Sequence, residues 1–556
     1  MMDTVVRNAR IIDGTGSPTT YGDVGIAGST IVAVGKISSG VATREIDASG
    51  LTLAPGFWDP HTHFEHAVLV DQDLGGLVAQ GVTTVITGNC GSSMFPKKHP
   101  HFSTPAEIKR LEGLDWHGLH QYATLVHSRG TPINSSPLIG NGDLRREVIG
   151  NDDRRATPEE MQHMLALLEQ GLNEGALGMS SGLDYIPSML SDTDELVEFA
   201  KLLAKHGAVY ASHYRDCSPI YGYSYHAEEV LAPADERARH LNGVLEVIEI
   251  GKRSGARVHV SHLHASGIIG TEMAAIRQAR RQGVDISVDA MAYNVSSSIR
   301  SDVLLHHVNG RCIDLVDMPL DVLKQRMRDP EFRDELSHRP QLRWYLSPER
   351  AGTWELSRTG NPDWDGRTVG EIAADLGKTP VDLVFELMVD EEHPVGIVPP
   401  AFKVKPLSVE QIDDPLISPC SDALGVDPED PYSKYSARSF VATVRYWEMA
   451  RGYGISEEEI VRHMTSLPAR RFGIWDRGVI AVGQKADIIL FSPDDYRGAA
   501  DTHHPFEPAQ GMQWVFVNGQ PILEESRRTG RLPGEILLKK PDDGRESRKH
   551  EKTTRR

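Results

Sequence analysis

Four histidines, a cysteine and an aspartate stand where a metal ion could use them. The run Leu53-Ala-Pro-Gly-Phe-Trp-Asp-Pro-His-Thr-His63 reads as a short apolar strand that ends on His61 and His63. Residues two apart on a strand point to the same side, so both imidazoles face one point. Two histidines alone serve equally well as a polar pair in a loop, so the reading depends on what joins them. Cys90 lies in Thr87-Gly-Asn-Cys-Gly91, His213 in Ala211-Ser-His-Tyr-Arg-Asp216, His262 in Val260-Ser-His-Leu-His264 and Asp422 in Pro419-Cys-Ser-Asp-Ala423. Imidazole, thiolate and carboxylate together suit zinc. Six donors exceed what one tetrahedral ion takes, which fits two ions, or one tight ion beside a weaker one. Plainer readings exist: a free cysteine is most often a small buried hydrophobe, and Asp422 could cap a helix. Glycines beside Asn89-Cys90 favour a loop over a core position for that cysteine.

The elements that must carry these residues are short and buried. Val82–Thr87, Gln121–His127, Ala176–Ser180, Ala208–His213, Arg257–His262 and Asp285–Ala290 are apolar or β-branched runs that read as parallel strands. Helical patterns alternate with them. Thr157-Pro158-Glu159-Glu160 is a helix start leading into Met161 to Glu174, and Asp194 to His206 and Leu241 to Gly255 repeat the pattern. Serial βα units predict an α/β chain whose main body, residues 55–477, is a TIM-like (β/α)8 barrel. In such barrels chemistry collects at the C-terminal ends of the strands, and His61, His63, His213 and His262 all fall there. Alternating runs in residues 1–54 and 478–535 predict a small β-sandwich built from both chain ends, since neither end has enough strands to bury a face by itself. Residues 296–412, rich in Arg, Asp, Glu and Pro, read as an inserted, partly helical lid, and 539–556 as a disordered tail.

A formal net charge of −19, spread along all 556 residues, argues against nucleic acid or an anionic membrane as partner. No apolar run approaches the roughly 18 residues of a membrane-spanning helix. Only four cysteines occur, and the opening Met1-Met-Asp-Thr-Val-Val-Arg7 has no long apolar core, so a reducing cytoplasm is expected. The chain leaves room for a homo-oligomer.

Several stretches resemble the amidohydrolase superfamily of metal-dependent hydrolases, and within it the D-aminoacylase (N-acyl-D-amino-acid deacylase) branch. They are Ala54 to His63, Gln80 to Gly91, Glu174-Gly-Ala-Leu-Gly-Met-Ser-Ser-Gly-Leu183, Ser212 to Asp216, Ser261-His262 and Gly483-Gln-Lys-Ala-Asp-Ile-Ile489. Many relatives bridge two metals with a carboxylated lysine, whereas this branch places a cysteine there, so the resemblance makes Cys90 the thiolate ligand. It implies that Cys90, His213 and His262 hold a tight zinc ion, that His61, His63 and Asp422 line a weaker position, and that Asp422 is the catalytic base and acid. Asp59 is expected to orient a ligand histidine, and Glu65 and His66 to stand behind the ligands or on the surface.

The pattern departs at the substrate grip. Where the branch has a lysine this chain has His264; the branch's tyrosine is present as Tyr293; after Asp422 there is no His-Pro-Arg element. Arg215, Lys434 and Arg438 are the cations left to take its place, and Arg215, His264 and Tyr293 are the expected substrate contacts. The expected activity is zinc-dependent cleavage of a non-peptide C–N bond in a small molecule, an N-acyl-D-amino acid or related N-acyl amine. The alternatives are a hydrolase of a cyclic amide or a small xenobiotic amide or ester, and a barrel scaffold without catalysis.

Overall fold

The computed structural model describes residues 1–70, 74–96, 109–217, 236–263, 269–291, 299–301, 304, 305, 308, 312–339, 342, 346–390, 392, 393, 395–398, 407–425 and 437–539. His264, Tyr293, Lys434 and the tail beyond Lys539 lie outside the described residues.

Parallel pairing organises the middle of the chain. Phe57–Asp59 pairs with Val82–Thr87, and that strand with Asn134–Pro137. One residue on, Ile139–Gly140 pairs with Gly178–Gly182, followed in order by Val209–His213, Arg257–Leu263, Ile286–Ala290 and Ile417–Pro419. Finally Ala423–Leu424 pairs with Thr62–His63, so the last segment returns to the first. These strands are buried along almost their whole length, as parallel strands covered by helices should be.

Helices lie between successive strands at Pro158–Asn173, Thr193–Lys205, Glu236–Ser254 and Ile269–Arg281. The first begins in the expected capping box: the Thr157 hydroxyl accepts from the Glu160 amide, the Glu160 carboxylate accepts from the Thr157 amide, and Pro158 sits where its missing N–H costs nothing.

One strand is not where the apolar pattern puts it. Gln121–His127 belongs to the helix Leu119–Arg129, which buries Leu119, Tyr122 and Val126 at helical spacing. The strand is instead the polar Asn134–Pro137. Its side chains are satisfied inside the protein: Asn134 donates to Asp487 and accepts from Asn518, and Ser135 bonds Thr87.

The two chain ends share one nine-stranded ladder, joined where Thr52–Pro55 pairs with Ile488–Phe491. Its core, which includes Val6, Val24, Ile26, Leu53, Ile488 and Phe516, is separate from the large central one. The insertion also has its own core, around Leu336, Trp354, Phe385 and Ile397, beside a small antiparallel sheet. None of the four cysteines forms a disulfide, and among the described residues no helix is long and apolar enough to cross a membrane.

Candidate metal centre

Cys90 Sγ is the hub. It lies 3.3 Å from His61 Nε2, 3.5 Å from His213 Nδ1 and 3.5 Å from His262 Nε2. Asp422 Oδ1 stands 3.6 Å from His61 Nε2 and 3.4 Å from His63 Nε2. The six residues singled out from the sequence therefore converge, brought from distant parts of the chain by the strand order above.

Backbone conformation is unusual at three of them. Cys90, His262 and Asp422 have φ of 51°, 37° and 50°, a left-handed region that costs non-glycine residues on the order of 1 kcal/mol or more each and collects at functional sites. Close packing holds the Cys90 loop in place: a Cβ on Gly182 would stand 2.1 Å from the Cys90 carbonyl oxygen, and one on Gly88 2.2 Å from that of Leu138.

Three of the rings, His61, His63 and His213, turn one nitrogen inward and the other towards a carboxylate. His61 Nδ1 faces Asp289 Oδ2 at 3.8 Å, and His63 Nδ1 faces Glu65 Oε1 at 4.0 Å. His213 Nε2 lies 3.2 Å from Asp184 Oδ2 and 3.0 Å from Cys217 Sγ. A carboxylate behind the ring is what metal-binding histidines require to fix their tautomer. Asp59 takes a different part from the one expected, accepting the backbone amides of His61 and Ser421 instead of a ring nitrogen. Burial pushes its carboxyl up to about 7.

The electrostatics call for a cation. Burial, Asp422 and Asp289 push the Cys90 thiol well up, so a thiolate here needs positive charge to hold it. Burial also works to raise the Asp422 carboxyl, but Arg438, His63 and the neighbouring rings outweigh it and hold the group well below the usual carboxylate range. The donors fit zinc on chemistry and spacing: bonds of 2.3 Å to sulfur and 2.0–2.1 Å to nitrogen at a tetrahedral angle set sulfur and nitrogen about 3.5 Å apart, as Cys90 and the rings are.

Arg215 has other work. Its nitrogens donate to Glu246 at 3.1 and 3.2 Å and to the carbonyls of Met189 and Ser191 at 2.9 and 2.8 Å. Its charge is neutralised by a neighbouring acid, and the expectation that it grips substrate finds no support. Three groups next to the cluster escaped the sequence reading: Asp289, Asp184 and Cys217. Asp289 carried a signal, a carboxylate inside a wholly buried strand.

A model of the amidohydrolase family matches residues 44–294. Over 549 residues the chain is 30% identical to a D-aminoacylase of Alcaligenes xylosoxydans xylosoxydans, covering 97% of this chain and 98% of that one. An N-acyl-D-aspartate deacylase of the same organism is 29% identical over 547 residues, covering 96% and 95%. Among solved structures, the N-acyl-D-glutamate deacylase of Bordetella bronchiseptica, complexed with zinc and a phosphonate inhibitor, superposes with a TM-score of 0.72 at 26% identity, covering 97% of this chain and 99% of that one.

Proposed function

The chain belongs to the amidohydrolase family, in its D-aminoacylase branch, and on that premise we propose that it is a zinc-dependent hydrolase that removes the acyl group from N-acyl-D-amino acids. The observation that carries this reading is the convergence of three imidazoles on the Cys90 sulfur, with Asp422 across His61 and His63. We read the circuit of parallel strands as a (β/α)8 barrel, with the terminal ladder as the small β-sandwich domain. Cys90, His213 and His262 are assigned to the tight zinc ion, and His61, His63 and Asp422 to a weaker position.

Zinc bound there supplies Lewis acidity for the scissile carbonyl and lowers the pKa of a water towards about 7. The chain's own residues do the rest. Asp422 takes the proton of the attacking water and returns it to the leaving nitrogen, so one carboxylate serves both halves of the reaction. Its depressed proton affinity keeps it ionised at the start of the cycle. Arg438 holds the other oxygen of Asp422 and keeps the carboxylate turned towards the histidines. Asp184 holds the outer nitrogen of His213, and the charges of Asp289 and Glu65 face the outer nitrogens of His61 and His63, which favours lone pairs on the inner ones.

The insertion is read as the lid. Its Ile313 and Val316 pack on Ile186, Met189 and Leu190, and Tyr185 beside them lays its ring 4.8 Å from that of His213. Four cysteines, none of them in a disulfide, support a cytoplasmic location. Two of the relatives compared name different amino acids, D-aspartate and D-glutamate, at similar identity, so the side chain preferred here is a question for assay.

The test is zinc content together with hydrolysis of a panel of N-acetyl-D-amino acids, for wild type, Cys90→Ala and Asp422→Ala. Loss of zinc in the first variant, and loss of turnover with zinc retained in the second, supports the assignment. A wild type that binds zinc but hydrolyses only hydantoin-like rings replaces the substrate class, and one that binds no zinc ends the enzyme reading.

A further inference from the structure

His259 and His262 lie three residues apart on the strand Arg257–Leu263. On a regular strand an odd spacing sends two side chains to opposite faces. Here the register against Ile286–Ala290 shifts between Val260 and Leu263, at the left-handed His262. The irregularity lets His262 Nε2 reach Cys90 while His259 turns to Asp289, whose other oxygen bonds the His262 amide.

The result is a buried series of polar contacts behind the metal centre. His259 Nδ1 lies 2.6 Å from Ser287 Oγ, and His259 Nε2 lies 2.6 Å from Asp289 Oδ2. That same Asp289 oxygen stands 3.8 Å from His61 Nδ1. Ser287, His259 and Asp289 are all buried, so none has water to substitute for these partners.

Burial favours a neutral His259, and a neutral ring sets where the hydrogens lie. Ser287 donates its hydroxyl hydrogen to Nδ1 of His259, which places the ring proton on Nε2, facing Asp289. Asp289 then remains an acceptor, and its charge, 3.8 Å from His61 Nδ1, favours the ring proton on that nitrogen. His61 Nε2 is left with its lone pair, aimed at Cys90 Sγ and Asp422 Oδ1. A metal ligand needs that tautomer.

We propose that Ser287, His259 and Asp289 are a positioning relay that fixes the tautomer of His61 and thereby sets metal affinity at the His61, His63 and Asp422 position. The inference rests on the two-position metal reading above. It assigns no chemistry to His259 itself.

The full chain is stripped of metal and titrated with Co2+, following visible absorption and, for ions on Cys90, the thiolate charge-transfer band. Wild type is expected to fill in two phases, the tighter of which brings up that band. His259→Leu and Asp289→Asn weaken the other phase by roughly 10- to 100-fold and leave the thiolate phase at its midpoint. His259→Gln, whose amide can still donate to Asp289, recovers most of the loss. Ser287→Ala, which removes only a hydroxyl, gives a smaller loss in the same phase and tests the relay even if His259→Leu does not fold. An unchanged second phase in His259→Gln and Ser287→Ala alongside an unchanged one in His259→Leu or Asp289→Asn overturns the relay, as does equal loss in both phases. A wild type that takes up no Co2+ removes the metal reading and the relay with it; two wild-type phases with indifferent variants remove the relay alone.

Discussion

Arg438 donates from Nη1 to Asp422 Oδ2 at 2.8 Å, while Asp422 Oδ1 faces His61 Nε2 at 3.6 Å and His63 Nε2 at 3.4 Å. The two oxygens of one carboxylate therefore have different partners: a permanent cation on one side and the metal-binding rings on the other. Arg438 opens the helix Arg438–Gly452, so the guanidinium is delivered from a fixed element. Replacing it with glutamine removes a charge that favours the ionised carboxylate, and the proton affinity of Asp422 rises. The expected outcome for Arg438→Gln is an acidic limb of kcat/KM displaced to higher pH, with activity below that limb reduced about tenfold for each unit of displacement. A pH profile of the zinc-loaded variant checks it; an unmoved limb means that Arg438 only braces the helix.

Asp184 is the expected determinant of tight metal binding from outside the ligand set. Its Oδ2 lies 3.2 Å from His213 Nε2, and its Oδ1 accepts the Asp216 amide at 2.8 Å, so the carboxylate cannot turn away. In Asp184→Asn the amide can present N–H to the ring and favour the wrong tautomer. Zinc affinity should fall by roughly 10- to 100-fold, measured by competition with a chelator. Equal affinity in variant and wild type would show that Cys217, at 3.0 Å from the same nitrogen, orients the ring by itself.

Gly182→Ala tests the packing that aims Cys90. The added Cβ would meet the Cys90 carbonyl oxygen at 2.1 Å and its carbon at 2.7 Å, contacts with backbone that no side-chain rotation relieves. The Cys90 loop must therefore shift. The expected protein is folded by circular dichroism but poor in zinc, because sulfur–metal bonding tolerates only a few tenths of an ångström of displacement. Full zinc content would show that the strand end, and not the loop, gives way.

What the sequence made legible were the residues that do chemistry themselves. His61, His63, Cys90, His213, His262 and Asp422 stand out because imidazole, thiol and carboxylate recur at the ends of apolar strands, and the strand order brings them together. The residues that support them were mostly hidden. Asp184 lies just beyond a strand end, and its pairing with His213 depends on the register of two neighbouring strands. His259 sits in a run that reads simply as a buried strand, because the bulge beside it has no signature in residue types. The third strand was misplaced for the opposite reason: Asn134-Ser-Ser-Pro137 is polar, and only its buried partners make it a strand.

Glu272 gives the structure a pH dependence that is separate from the metal. It sits in the first turn of the helix Ile269–Arg281, fully buried; Tyr214 donates to Oε1 across 3.5 Å, and Oε2 has no hydrogen-bond partner among the described residues. Burial, only partly offset by Tyr214, pushes its carboxyl from 4.5 up to about 7. Between those values the folded chain holds a proton that the unfolded chain has released, so stability is fully present below pH 4.5 and is lost as pH rises through about 7. The loss on crossing that window is on the order of 3 kcal/mol. Glu272→Gln cannot ionise and nearly preserves shape, so its melting temperature relative to wild type should be higher at pH 8 than at pH 5. Thermal unfolding at both pH values, with metal content held equal, checks the sign. A difference between the two proteins that stays constant with pH would mean that Glu272 titrates alike in the folded and unfolded chain, its charge being met by a partner or by water when it forms.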